Sequence, residues 1–327
     1  MEHRKLGKSD LKLSVVGLGT WLMGRSGWVN VDDQESIAAI HQALELGVNW
    51  IDTAEVYGQG HSEEVIGQAL KGRKREDVII SSKVDPSHTA NREQLSKALN
   101  DSLRRLHTEY LDLYYLHWPS TEYHYHSTYL DAPRQETMAA LLAEQKKGKI
   151  RHLGVSNFDA AQMAEIMQFG RFESLQPPYS LYWRHIERED VPFCLKHDIG
   201  IVAYSPMAQG LLTGKFNLRN RPQPEDNRAH NKLFLPPIYE TALEGLPAVR
   251  KIAEKYGKSL AQTAVRWVLQ QPGVTSAIVG ARNAQQVREN IGAADWELSA
   301  EDVAVLSAAG SRVMASLPDD DTTTFVR

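Results

Sequence analysis

The chain has 327 residues, 42% of them hydrophobic and 24% charged, with a formal net charge of -4. That is the composition of a globular protein with enough apolar mass for a sizeable core. It leaves no basic footprint for nucleic acid, and a single cysteine, Cys194, excludes an intrachain disulfide. No stretch approaches the roughly 20 apolar residues that span a bilayer, and no apolar segment follows the charged first residues. A soluble, cytoplasmic protein is therefore expected, and with no linker or composition shift residues 1–327 read as one domain.

Leu6-Gly7 and the turn-like Lys8-Ser9-Asp10 suggest a small hairpin at the start. Apolar runs then predict strands at 14–18, 48–52, 78–83, 111–117, 152–156, 174–176, 199–204 and 277–279. Several, such as Val78-Ile79-Ile80, are continuous β-branched runs, the pattern of parallel strands buried on both faces. Amphipathic helices fall between them. Asp32 with Glu35 caps the first, which Gly47 ends, and Asn91 with Gln94 caps a helix carrying Leu95, Leu99, Leu103 and Leu106. Pro133 opens another through Met138, Leu141 and Leu142, and Ser259 with Gln262 opens one over 260–269. Residues 219–237 form one long irregular stretch, of the kind that is functional or disordered. Two further helices, about 284–294 and 299–311, follow the last strand, and Asp319-Asp320-Asp321 reads as a solvated end.

Strands alternating with helices imply a barrel or a doubly wound sheet. Neither glycine cluster meets the dinucleotide fingerprint of a doubly wound fold. After Gly17-x-Gly19 the third glycine, Gly24, comes two positions late, and after Gly58-x-Gly60 its place is taken by Glu63. The reading is thus α/β: a (β/α)8 TIM barrel with an N-terminal β-hairpin and extra C-terminal helices.

Polar residues end consecutive strands: Asp52, Lys83, His117, Ser156-Asn157, Gln176 and Tyr204-Ser205. In a barrel these ends share one mouth, where such folds carry their active sites. Tyr57 follows on the loop after Asp52 and suits a general acid that protonates a carbonyl oxygen. A phenol of pKa about 10 is a reluctant donor at neutral pH. A neighbouring Lys83 ammonium is expected to lower that value, with Asp52 orienting the lysine and His117 hydrogen-bonding the substrate oxygen or the phenol. The bland alternative is a buried Asp-Lys pair with an incidental Tyr and His.

Asp52-Thr53-Ala54-x-x-Tyr57-Gly58, followed by Gly60-His61-Ser62-Glu63, resembles the signature of the aldo-keto reductases. So do Gly17-Leu18-Gly19-Thr20-Trp21, Ser81-Ser82-Lys83, Leu111-Asp112-Leu113-Tyr114-x-Leu116-His117-Trp118-Pro119, Gly154-Val155-Ser156-Asn157-Phe158 and Ala203-Tyr204-Ser205-Pro206. The resemblance runs in order over nearly the whole chain and is nearest the bacterial and potassium-channel-beta-subunit-like branch. It implies Asp52, Tyr57, Lys83 and His117 as the catalytic tetrad and NADPH/NADP+ as the usual cofactor, with NADH second and no metal.

The same resemblance implies that Gly19, Thr20 and Trp21 border the cofactor. Ser156, Asn157 and Gln176 would then meet the nicotinamide carboxamide, with Tyr204 stacked beneath the ring. Ser205, Pro206 and Met207, followed by Gly210, Leu211, Gly214 and Lys215, resemble a loop over the pyrophosphate, where glycines admit close approach and Lys215 neutralises charge. Gly280 and Arg282 precede a short helix, a place where barrels bind phosphate. Arg282 is the candidate for the 2′-phosphate, with Gln286, Glu289 and Asn290 around the adenosine.

Trp21 and Trp118 are candidate substrate contacts, and Trp28 a weaker one. Relatives often carry an acidic residue soon after the catalytic histidine; His117-Trp118-Pro119-Ser120 departs from this and leaves the substrate class open. His124 and His126, interleaved with Tyr123 and Tyr125, read as an exposed loop rather than metal ligands. Carbonyl reduction is the leading function. A sugar, polyol or pyridoxal-type dehydrogenase running in reverse and a nicotinamide-binding sensor like the channel subunits are the alternatives. The oligomeric state is not read from the sequence.

Overall fold

A hairpin opens the chain: β1 (His3–Lys5) pairs antiparallel with β2 (Lys12–Ser14). Its Leu6, Leu11 and Leu13 pack with Trp50, Leu113, Tyr115, Val202 and Ile278, plugging the barrel interior. The computed structural model describes residues 1–28, 30–119 and 134–317. Ser120, Tyr123, His124, Tyr125, His126, Pro133 and the acidic run 319–321 lie outside the described residues.

All eight expected barrel strands form. They are β3 (Val16–Gly19), β4 (Trp50–Asp52), β5 (Ile79–Val84), β6 (Leu111–Leu116), β7 (Ile150–Ser156), β8 (Ser174–Gln176), β9 (Gly200–Ala203) and β10 (Val274–Gly280). Each pairs in parallel with its sequence neighbour, and β10 closes the ring against β3. The first begins at Val16 rather than residue 14 because Ser14 is already committed to the hairpin. The last is longer than expected because its two pairings are offset along it, β9 against its first half and β3 against residues 277–280. Gly17 is required by packing: a Cβ there would lie 2.1 Å from the Trp50 indole.

The capping predictions hold where they are described. Asp32 accepts the Glu35 N–H at 2.9 Å to start α1 (Asp33–Glu45), and Gly47 follows with φ +88°. After α2 (His61–Ala69), Asn91 caps α3 (Arg92–Arg105), whose Leu95, Leu99 and Leu103 are buried. Then come α4 (Arg134–Lys146), α5 (Ala160–Ile166) and α6 (Asp190–His197). The sequence reading has no helix between 237 and 259, yet α7 (Ile238–Lys255) is there, with Pro247 inside it. A proline removes one intrahelical bond and obscures the pattern, while burial of Tyr239, Ala242, Leu246, Val249 and Ile252 sustains the helix. Ser259 and Gln262 form a full capping box on α8 (Leu260–Leu269). The last two helices, α9 (Ala284–Ile291) and α10 (Ala300–Met314), are respectively shorter and longer than expected. Among the described residues no helix is long and apolar enough to cross a membrane.

Residues 219–237 are irregular as expected, but they are anchored. Two short turns, Asn227–His230 and Lys232–Phe234, bury Arg228, Leu233 and Phe234, with Asp226 and Asn231 also buried.

Candidate active site

The barrel register sets the site. Asp52 lies opposite Ser81 across β4 and β5, and the pleat's period of two puts Ser81 and Lys83 on one face. Asp52 accepts from Lys83 Nζ at 2.6 Å, from Ser81 Oγ at 2.7 Å and from Gln176 Nε2 at 2.9 Å. Lys83 has no solvent exposure; its Nζ also donates to the Thr53 carbonyl at 2.7 Å and to Tyr57 Oη at 3.2 Å. His117 follows β6, its ring edge-on to Tyr57 with centroids 5.9 Å apart. The three residues picked out from strand ends and Tyr57 from the loop after the second strand therefore meet at one point.

Tyr57 is placed by a close contact of backbones. Gly58 has φ +62°, and a Cβ there would sit 2.0 Å from the Gly24 carbonyl oxygen, so only glycine lets the two loops touch. Thr20 braces the same corner: its hydroxyl donates to the Asp52 carbonyl at 2.8 Å and receives the Ser62 hydroxyl at 2.7 Å.

The electrostatics correct one expectation. Burial, with the Asp52 charge added, holds the Tyr57 phenol well above its ordinary range instead of below it. Asp52 offsets the Lys83 ammonium at hydrogen-bond distance, so desolvation prevails. Burial likewise pushes Lys83 down, against Asp52, and burial plus the Lys83 charge pushes His117 well down. Burial thus favours the neutral phenol and the neutral imidazole, beside the buried Lys83–Asp52 ion pair. Among the described residues, His117 Nδ1 is buried with no hydrogen-bond partner.

The residues expected around a nicotinamide stand on the neighbouring strand ends and bond one another. Ser156 Oγ donates to the Gln176 carbonyl at 2.8 Å, and Asn157 Nδ2 donates to the His117 carbonyl at 2.9 Å. Tyr204 Oη donates to Asn157 Oδ1 at 2.8 Å. Gln176, expected at the carboxamide, also donates its amide nitrogen to Asp52.

Beyond Tyr204 the loop is strained at Ser205, Ala208 and Gln209, whose φ is left-handed, while Gly210 and Gly214 take the same region without steric cost. Pro206 and Leu211 are buried within it, and Met207 accepts the Gly210 and Leu212 N–H groups on its carbonyl. Lys215 folds back over Gly210. Its ammonium is pushed down to about 8 by burial, then by Arg228 and Arg282, against Asp226. Burial and Arg228 lower Arg282 as well. Arg228 pairs with Asp226, Nε to Oδ1 at 2.7 Å, and lies over the Trp28 ring at 5.3 Å. Three cations thus converge against one carboxylate, a donor set suited to phosphate. Arg228 and Asp226 were missed from the sequence: they lie in the irregular stretch, and only their burial beside Lys215 and Arg282 marks them.

At the start of α9, the Arg282 N–H donates to Gln286 Oε1 at 2.9 Å, and Asn290 Nδ2 donates to the Gly280 carbonyl at 3.1 Å. Gly280 pairs in register with Gly19. The Glu289 carbonyl accepts from Gln262. Trp21 stands edge-on to Trp28, centroids 5.1 Å apart, and 6.3 Å from Tyr57; Trp118 stacks on His117 at 6.3 Å. These rings border the mouth of the barrel. Among the described residues no group of His, Cys, Asp and Glu is arranged to hold a metal ion.

The sequence model of the Aldo/keto reductase family matches residues 15–310. The NADH-specific methylglyoxal reductase of Escherichia coli is 33% identical over 94% of this chain and 97% of its own length. The structure of the glycerol dehydrogenase AKR11B4 from Gluconobacter oxydans superposes with a TM-score of 0.85 at 34% identity, covering 98% of each chain. An aldo-keto reductase from Klebsiella pneumoniae, solved in complex with NADPH, gives a TM-score of 0.76 at 31% identity over 100% of both chains.

Proposed function

Because the chain belongs to the aldo/keto reductase family, we propose that it reduces an aldehyde or ketone to the alcohol with NADPH, Tyr57 delivering the proton. The observation that carries this is the buried chain of contacts from Tyr57 Oη through Lys83 Nζ to Asp52, beside a neutral His117. When bound, the nicotinamide cofactor supplies the hydride that adds to the carbonyl carbon. Tyr57 donates its hydroxyl proton to the carbonyl oxygen as the C=O bond becomes a single bond. Its raised pKa keeps it protonated over the working pH range. That same burial makes the phenolate costly, and Lys83, 3.2 Å away, is the group that stabilises it. Asp52 keeps Lys83 charged and aimed, and His117 offers a ring N–H to the carbonyl oxygen.

The cofactor's phosphates suit the cluster of Lys215, Arg228 and Arg282, where each added negative charge relieves repulsion between the cations. This favours NADPH over NADH. Ser156, Asn157 and Gln176 hold the carboxamide with Tyr204 beneath the ring. Gly19, Thr20, Trp21, the 205–215 loop, Gly280, Gln286, Glu289 and Asn290 border the rest. Trp21 and Trp118 face the substrate, and residues 1–327 work as one domain.

Steady-state NADPH oxidation against a panel of carbonyls, methylglyoxal included, tests the reading, with Tyr57→Phe as the control. We expect kcat of the variant to fall about 10²- to 10⁴-fold with cofactor affinity retained. Wild-type kcat in Tyr57→Phe would refute the mechanism. The likeness to a glycerol dehydrogenase favours alcohol oxidation as a second reading. The neutral phenol is the form that donates a proton in reduction, and on that support we take reduction as the first reading.

A further inference from the structure

Glu55 sits two residues before Tyr57, in the loop that leaves β4. Its side chain is 6% exposed, and burying a carboxylate is costly unless it is paired and hydrogen-bonded. Among the described residues its side chain bonds two groups of the neighbouring loop after β5. Oε1 accepts the Asp85 N–H at 2.6 Å and bonds His88 Nδ1 at 3.0 Å. Asp85 lies two residues beyond Lys83, and His88 ends the short turn Pro86–His88 that Asp85 caps.

The loop bearing the proton donor is therefore joined from two sides to β5, which bears the lysine, and to the loop that follows it. On the barrel side the Thr53 N–H donates to the Ser81 carbonyl and Lys83 Nζ to the Thr53 carbonyl. On the outer side stands Glu55. Val56, between Glu55 and Tyr57, is 41% exposed, so the outer part of the loop is held at Glu55 while its far end is held by the Gly58–Gly24 backbone contact. Proton transfer depends on the 3.2 Å separation of Tyr57 Oη and Lys83 Nζ, which is set by how the Tyr57 loop sits against β5 and the loop after it.

We propose that Glu55 is a positioning residue for the Tyr57 proton transfer, and that His88 is the ionisable partner that determines how firmly Glu55 clamps the two loops. The inference rests on the reading of Tyr57 as the acid. His88 is half-exposed, so its proton exchanges with solvent. Glu55 from the β4 loop and Asp85 from its own loop favour the imidazolium, and Lys97 from α3 opposes it. The hydrogen bond to Glu55 prevails and raises the His88 pKa above 6.5. The charged clamp is complete below that range and is lost as pH rises through the raised value.

The test is single-turnover reduction at saturating NADPH and carbonyl, from pH 5.5 to 9, for wild type, His88→Gln, Glu55→Gln and Tyr57→Phe. Cofactor affinity and thermal stability are measured alongside. We expect the wild-type rate to fall about three- to tenfold as His88 loses its proton, since a charge-assisted hydrogen bond is replaced by a neutral one. His88→Gln should run at the lower rate throughout, without that step. Glu55→Gln should also lose the step and run about tenfold below wild type at low pH, with the KM for the carbonyl and the cofactor affinity unchanged. Wild-type rate and pH profile in both glutamine variants, with Tyr57→Phe inactive, would overturn the clamp, as would a loss of stability alone. Should Glu55→Gln fail to fold, the half-exposed His88→Gln decides the matter. A wild-type rate in Tyr57→Phe would remove the premise itself, and the proposal with it.

Discussion

Replacing Asp52 with Asn removes one charge and almost no volume from the centre of the barrel mouth. The carboxylate now balances Lys83, which has no exposure of its own and meets Asp52 Oδ2 at 2.6 Å. Removing one partner of a buried pair costs about 3–5 kcal/mol, equivalent to lowering the lysine's proton affinity by about two to four pH units. Burial already pushes Lys83 down, and Asp52 is the first group that opposes it. In the variant the lysine will shed its proton. The sign follows from linkage: a lysine with a depressed folded pKa favours the folded state more as pH rises towards its unfolded value of about 10.4. Asp52→Asn should therefore lie several kcal/mol below wild type at pH 7 and recover much of that deficit by pH 9.5. Urea denaturation at both pH values measures this. Reduction should fall by about 10²-fold or more at pH 7, because a neutral amine stabilises the phenolate poorly. A stability deficit that stays constant from pH 6 to 10 would refute the reasoning, since the cost would then be steric.

Arg228→Ala should weaken NADPH binding more than NADH binding, by about tenfold or more, if Arg228 meets a phosphate that only NADPH carries. Arg282→Ala serves as the parallel measurement, and unchanged cofactor preference in both would remove the phosphate assignment. Gly58→Ala should cost more than the roughly 1 kcal/mol of an ordinary glycine replacement, because the left-handed φ and the Gly24 carbonyl both forbid a Cβ. Its melting temperature and kcat should fall together. His117 is held neutral well below the usual imidazole range, so no acid limb from it should appear as pH falls from 8 to 6. A rate that declines over that interval with a midpoint removed by substituting His117 would contradict this.

The barrel and the meeting of Asp52, Lys83 and His117 at its mouth were legible because they rest on local, repeating signals. Each β-branched run needs burial on both faces, and each polar residue at its end is displaced by the strand's own geometry to the shared mouth. Asp52, Lys83 and His117 stand out for that reason before any relative is considered. The helix caps at Asp32, Asn91 and Ser259 were legible too, since a cap is made within four residues of chain. What the tertiary structure alone decided are the quantities that depend on which groups become neighbours and how dry they are. Tyr57 illustrates this: sequence places a lysine nearby, but only burial and the 2.6 Å Asp52–Lys83 pair reverse the direction of its pKa. Arg228 and Asp226 join Lys215 and Arg282 across a loop without periodicity, and α7 persists through Pro247 because its apolar face is buried. Chemistry that follows from residue type and strand period is written locally. Proton affinity and charge clustering come from the sum of contacts made by segments far apart in the chain, and they exist only once the barrel has closed.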